Sequence, residues 1–222
     1  MKPTSIAIDG PAGAGKSTIS KAAAAKLGFL YIDTGAMYRS VGVTALSFGV
    51  DTKSEEAVCK ILDNISLEIK MFDDGQHIFV NGTDFNDKIR TPKASMAASD
   101  VAKIPAVRLK LVEIQRKIAE SNNVIMDGRD IGSYVLPNAK IKIFLTASVE
   151  ERAKRRYKEL LDKGENCTLS EVISDMEIRD KQDSERTFAP LKKADDAVLV
   201  DTTGLSLSES VEKIIDIVKE RR

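Results

Sequence analysis

The sequence has a single histidine, two cysteines and no surplus of charge of either sign. With 34 Lys and Arg against 34 Asp and Glu, it has no bulk field to gather nucleic acid or an anionic membrane. Neither is expected as a partner, and anion affinity must come from local placement. Cys59 and Cys167 lie far apart, with no CxxC pair and no Cys/His cluster. Neither a disulfide framework nor a zinc site is therefore suggested, and both cysteines read as ordinary thiols. The lone histidine, His77, falls on a hairpin where histidine chemistry is not needed, and it reads as structural or exposed. Nowhere do about 18 apolar residues run together, and residues 1–9 hold one Lys and only a short uncharged stretch, so the expectation is a cytoplasmic chain. No repeat, low-complexity tract, heptad seam or apolar edge segment stands out, which makes a monomer the expectation.

What is present suits one globular domain with a small insertion: 222 residues, 42% hydrophobic. Five short β-rich runs, at 6–8, 29–32, 124–126, 141–145 and 197–200, read as buried parallel strands separated by helical sequence. Ser148 with Glu151, Thr168 with Glu171 and Ser206 with Glu209 have the spacing of capping boxes. The fold class is thus α/β, a parallel sheet with helices on both faces. Residues 67–81 break the rhythm: Leu67, Ile69 and Met71 alternate with polar residues, Asp73-Asp74-Gly75 turns, and Ile78 and Val80 alternate again, as in an antiparallel hairpin. With a helix at 54–62 before it and a Thr91-Pro92 helix start after it, this reads as a small α/β insertion.

Gly10-Pro11-Ala12-Gly13-Ala14-Gly15-Lys16-Ser17 matches G-x-x-x-x-G-K-[ST], follows the first strand and opens an Ala-rich helix. In such a loop the backbone N–H groups line a concavity, glycines admit phosphate oxygens, and the helix N-terminus adds its dipole. Lys16 would reach the β- and γ-phosphates, and Ser17 would offer its hydroxyl to Mg²⁺. ATP or GTP binding follows. The guanine-reading N-K-x-D and an LSGGQ-like signature are both missing, so the acceptor must be read from the arginine-rich second half.

Arg152, Arg155 and Arg156 share one helix face, which fits either a solvated surface or a phosphate site. In the next helix the apolar stripe Leu169, Val172, Ile173, Met176 continues in register onto Arg179, Asp183 and Arg186. Either that helix end is solvated, or it projects into a cleft where guanidinium meets phosphate and carboxylate meets hydroxyls; the cleft is favoured. Asp127-Gly128-Arg129-Asp130 leaves the third strand directly, at the ligand-binding end of an open α/β sheet, although a plain turn could use Asp-Gly too. Residues 33–39 (DTGAMYR) follow the second strand in the same way, with Thr34 either functional or only the cap of the next helix.

With IDGPAGAGKST, DTGAMYR, the hairpin insertion, GRDIG, ERAKRRY and R-x-x-x-D-x-x-R-x-x-A-P-L in place, the chain resembles the bacterial cytidylate kinases nearly end to end. The resemblance implies a P-loop three-layer fold with a five-stranded parallel sheet in the order 2-3-1-4-5. It also implies a core at 1–60, 101–150 and 168–222, a monophosphate-binding insertion at 61–100 and a helical lid at 151–167. The implied reaction moves a phosphoryl group from ATP to CMP or dCMP. Gly10 to Thr18 would hold ATP; Ser17 would hold Mg²⁺, with Asp127 reaching it through water. Cytosine would meet Ser99, Arg108 and Asp130, ribose would meet Tyr38, Arg179 and Asp183, and the acceptor phosphate would lie among Arg39, Arg129 and Arg186; Thr34, where relatives often carry Ser, keeps the hydroxyl and with it a CMP contact. Lys16, Arg129, Arg152, Arg156 and Arg186 would carry catalysis by neutralising charge, with neither nucleophile nor general base required. Two rivals remain: a P-loop kinase of a hydroxyl acceptor, and a nucleotide-sensing module without turnover.

Overall fold

Described here is a computed structural model covering residues 3–72, 75–162 and 164–221. In chain order β1 (Ser5–Asp9) leads through the glycine loop into α1 (Lys16–Leu27), and β2 (Leu30–Asp33) leads into α2 (Thr34–Ser47). Then come α3 (Glu55–Leu62), β3 (Leu67–Phe72), β4 (Gly75–Val80), β5 (Thr83–Asp84), α4 (Pro92–Val101) and α5 (Pro105–Ser121). The chain continues with β6 (Val124–Gly128), a π-helical turn (Ile131–Val135), β7 (Ile141–Thr146), α6 (Val149–Asp162), α7 (Leu169–Glu185), β8 (Val198–Asp201) and α8 (Leu207–Arg221).

The five-stranded sheet runs β2-β6-β1-β7-β8, which is the expected 2-3-1-4-5. Its central strand owes its position to an unbroken apolar run: Ile6, Ala7 and Ile8 are fully buried, as a strand covered on both faces must be. β1 runs parallel to β6 and β7 with Asp9 level with Gly128 and with Phe144, so the loops after β1 and β6 leave the same edge side by side. That register places the glycine loop beside residues 128–130.

Helix ends follow local chemistry. Two left-handed glycines bracket α1, Gly15 at φ 83° and Gly28 at φ 68°. The Phe29 N–H closes the helix on the Ala24 carbonyl, so β2 starts one residue later than the apolar run suggests. Ser54 and Thr91 cap α3 and α4. Thr168 with Glu171 and Ser206 with Glu209 form complete capping boxes. Ser148 accepts from the Glu151 N–H, but its own N–H donates to Thr203 Oγ1 at 2.9 Å, so the expected reciprocal half of that box is taken by the loop after β8.

Two compact units divide the chain: residues 1–31 with 119–222, and residues 32–118. In the first, Ile8, Ile125, Ile143 and Leu145 of the sheet pack with Ile19 and Ala23 of α1 and with Val211, Ile214 and Val218 of α8. In the second, Met37 and Val41 of α2, Val58 of α3, Ile78 and Val80 of β4, and Val107 and Leu111 of α5 share a core. There α4 lies so close to α2 that a Cβ on Gly42 would sit 2.8 Å from Ala97. The hairpin pairs Leu67 with Val80 and Ile69 with Ile78, as the alternation predicts. Asp73 and Asp74, the expected turn, lie outside the described residues. β5 adds a third strand too short to leave a sequence signal. His77 packs edge-on against Phe72 and lies 2.6 Å from Asp84, a structural placement. Both cysteines are free and part-buried, and among the described residues no helix is long and apolar enough to cross a membrane.

Candidate active site

The glycine loop is shaped by close approach as much as by turning. At Gly10 (φ 151°) a Cβ would fall 2.0 Å from the Leu145 carbonyl oxygen, so no side chain fits where the loop leaves β1. Gly13 and Gly15 hold φ 71° and 83°, values that disfavour any other residue. Lys16 is buried at 6% exposure and donates to the Pro11 carbonyl at 2.6 Å. Burial, then the nearby Arg129 guanidinium, pushes its pKa down to about 7 against the pull of Asp127, Asp9 and Asp183. Such a lysine has unmet demand for negative charge.

Ser17 and Thr18 lie in the first turn of α1, both exposed. Ser17 Oγ donates to Asp127 Oδ2 at 3.0 Å, and Tyr31 OH donates to Asp127 Oδ1 at 2.8 Å. One hydroxyl beside one carboxylate is the donor set that suits Mg²⁺, which keeps waters and takes its remaining oxygens from substrate phosphates. Among the described residues no cluster of three or more His, Cys, Asp or Glu could hold a metal ion. The sequence reading missed Tyr31; a tyrosine within an apolar strand looks like core.

Next to the loop, Asp9 accepts from the N–H groups of Ile131 and Gly132, both at 2.7 Å. This two-oxygen grip starts the π-helical turn and holds the stretch that carries Arg129 and Asp130. Burial pushes Asp9 up to about 6, and the two backbone bonds oppose the shift. Arg129 Nε donates to Asp183 Oδ2 at 2.7 Å; Arg186 lies 3.6 Å from Asp183 and donates to Asp130 Oδ1 at 3.1 Å. Side-chain exposures of 20% for Arg129, 8% for Arg186 and 7% for Asp130 remove the solvated reading of this helix end. Burial is the largest single influence on the Arg129 guanidinium and lowers it, but Asp183, Asp180 and Asp127 together hold the group above its ordinary value. Burial likewise raises Asp183, and Arg129, Arg186 and Arg179 together hold it below the usual carboxylate range. Arg179 is half-buried on the same helix. Arg186 also donates to the carbonyl of Ala189, an alanine held at φ 48°, where a side chain is strained.

The arginines of α6 split. Arg152, 5% exposed, donates to the Ala147 and Ala12 carbonyls and pairs with Asp180 at 2.6 Å. Arg155 donates to the Thr202 carbonyl at 3.0 Å. Arg156 is part-exposed and pairs with Glu159. Of the three, only Arg156 fits the solvated-face reading.

In the second unit Asp33, not Thr34, caps α2 by accepting from the Ala36 N–H; its other oxygen pairs with Arg39 at 2.8 Å. The cap reading of Thr34 is thereby removed, and its side chain is buried. Arg108, 1% exposed, lies over the Tyr38 ring at 5.5 Å and donates to the Ala102 carbonyl. Ser99 is half-buried on α4. A fully buried guanidinium on an aromatic face looks like core in sequence, and only its recognised position suggested otherwise.

The family model for cytidylate kinase matches residues 6–220. The cytidylate kinase of Halalkalibacterium halodurans is 51% identical over the whole of both chains. That of Bacillus subtilis is 50% identical over 99% of this chain and 98% of its own. The chain belongs to the cytidylate kinase family. That of Caldicellulosiruptor bescii is 49% identical over 98% of this chain and 96% of its own. Solved structures support the fold alone: an uncharacterized protein from Eubacterium ventriosum (TM-score 0.57, 14% identity, 98% of this chain and 99% of that one) and a gluconokinase from Sinorhizobium meliloti (TM-score 0.51, 15% identity, 99% and 94%). As a cytidylate kinase family member with a P-loop kinase fold, the protein is a phosphoryl-transferring enzyme.

Proposed function

We propose that the protein phosphorylates CMP and dCMP with ATP, giving CDP or dCDP and ADP. The observation that supports this most is the buried Arg129–Asp183–Arg186–Asp130 network at the strand end beside the glycine loop, in a chain of the cytidylate kinase family. The loop from Gly10 to Thr18 takes the ATP phosphates, and Lys16 regains its full charge against them. Ser17 and Asp127 would hold Mg²⁺, directly and through water; bound there, the ion neutralises charge on the phosphate oxygens. The acceptor phosphate is held by Arg39, Arg129 and Arg186, and its ribose by Tyr38, Arg179 and Asp183.

Cytosine is read by Ser99, Arg108 and Asp130. The Asp130 carboxylate accepts from the exocyclic amine of cytosine; the carbonyl of uracil at that position would leave it facing an acceptor, which costs affinity. The acceptor's phosphate oxygen is already ionised, so in-line attack on the γ-phosphoryl group needs no general base. Lys16 and the α6 arginines Arg152 and Arg156 neutralise the charge that spreads over the γ-oxygens, and residues 151–167 act as the lid that keeps water away. The test is turnover with ATP and Mg²⁺ on CMP, dCMP, UMP, AMP, GMP and shikimate, each alone. Strong turnover of CMP and dCMP with weak UMP is expected; no nucleotide turnover in a protein that still binds ATP would refute the acceptor assignment.

A further inference from the structure

The peptides on either side of Ala12 are held by three side chains, one from the loop itself and two from more than a hundred positions away. In the peptide between Pro11 and Ala12, the carbonyl oxygen accepts from Lys16 Nζ at 2.6 Å and the N–H donates to Asp180 Oδ1 at 2.9 Å. In the peptide between Ala12 and Gly13, the carbonyl accepts from Arg152 Nη1 at 2.8 Å. The same Nη1 donates to Asp180 Oδ2 at 2.6 Å, so Asp180 and Arg152 form one unit clamped on Ala12. Packing reinforces it: a Cβ on Gly13 would lie 2.6 Å from Met176 of α7 and 3.1 Å from the Arg152 carbonyl of α6.

We infer that Asp180 is a positioning residue for the phosphate loop, acting on bound nucleotide through Ala12 and Arg152 rather than by touching it. A trans peptide points its N–H opposite its C=O. Tying the Ala12 carbonyl to Arg152 therefore aims the Gly13 N–H the other way, into the concavity of the loop. Asp180 keeps the buried guanidinium paired in that position and fixes the preceding peptide plane at its N–H end, while Lys16 holds the carbonyl end. Because Arg152 balances the Asp180 charge, the carboxylate can remain near a phosphate site without repelling the ligand outright. This inference rests on the reading of the loop as the ATP site.

Two substitutions separate the parts: Asp180→Asn keeps an acceptor for the Ala12 N–H but removes the charge facing Arg152, and Asp180→Ala removes both. Calorimetric titration of the full chain with ATP and Mg²⁺ is expected to give a Kd raised about tenfold or more in Asp180→Asn and further in Asp180→Ala. The KM for CMP should stay within about twofold, a split that general loosening of the fold would not produce. Arg152→Lys should weaken ATP binding too, and the double variant Arg152→Lys with Asp180→Asn should lose no more than the worse single one. Unchanged or tighter ATP binding in Asp180→Asn would overturn the inference, as would losses that multiply. Amide exchange on the nucleotide-free chain tests the clamp apart from the ATP reading: the Ala12 N–H should exchange faster in Asp180→Ala, and unchanged exchange would overturn the inference even if wild-type protein bound ATP as proposed.

Discussion

Lys16 makes a quantitative prediction about protons. Its pKa of about 7 in the nucleotide-free chain means that at pH 8 only about a tenth of the molecules carry the charge. Phosphate oxygens placed against the ammonium restore a value near or above the ordinary one. Binding should then take up about 0.9 proton per ATP at pH 8 and about 0.1 at pH 6. The same linkage makes ATP affinity fall about tenfold per pH unit above pH 7, a cost of about 1.4 kcal/mol per unit. Titrating ATP with Mg²⁺ in buffers of different ionisation enthalpy reads the uptake directly, as the slope of apparent enthalpy on buffer enthalpy. Lys16→Arg serves as the control, because a guanidinium stays charged throughout and the uptake should vanish. Uptake below about 0.2 proton at pH 8, with ATP bound, would refute the account of burial and Arg129 as the forces on Lys16.

Asp9 should also leave a mark on stability. Its pKa is higher folded than unfolded, so its contribution is full below about pH 4 and lost as pH rises through about 6, some 3 kcal/mol in all; urea midpoints of wild type should fall over that range, and an equal slope in Asp9→Asn would assign the fall to other groups. Asp130→Ala should lose preference for CMP over UMP with little change in ATP affinity, and equal losses for both acceptors would remove Asp130 from base reading. Gly42→Ala places a Cβ 2.8 Å from Ala97 in α4, a clash costing about 1–3 kcal/mol that should outweigh the gain in helix propensity of up to about 1 kcal/mol; a raised urea midpoint would mean that α4 yields. Tyr31→Phe removes the donor to Asp127 Oδ1 and should raise the Mg²⁺ concentration needed for half-maximal ATP binding several-fold, measured by titration, whereas an unchanged requirement would leave Tyr31 a packing residue only.

What could be read from the sequence was whatever is written locally. The sheet strands are runs of apolar residues because both faces are covered, the hairpin alternates because one face is, and the glycine loop lies within eight consecutive positions. The charged continuation of the α7 stripe pointed to a cleft rather than to solvent because helical register carries that far. Features held by bonds between distant residues left no such trace. Asp9 grips N–H groups more than a hundred positions away, and Asp180 looks in sequence like any solvated acid between Arg179 and Lys181. The Ser148 N–H was expected to meet Glu151 and instead meets Thr203, since a hydroxyl from another loop competes for a donor that local spacing assigns to the helix. The π-helical turn is set by Asp9 rather than by its own five residues, so the string IGSYV does not announce it.

The crossing at Gly10 bears on how the glycine motif itself is to be understood. The Leu145 carbonyl stands where a side chain would be. Chain crossing in the fold therefore demands the first glycine whatever the loop binds, while Lys16, which also holds the Pro11 carbonyl, owes its charge chemistry to the phosphates. A descendant that lost turnover would be free to discard the lysine yet obliged to keep that glycine. A surviving Gly10 without Lys16 would then record shared architecture, and only the pair together would record chemistry.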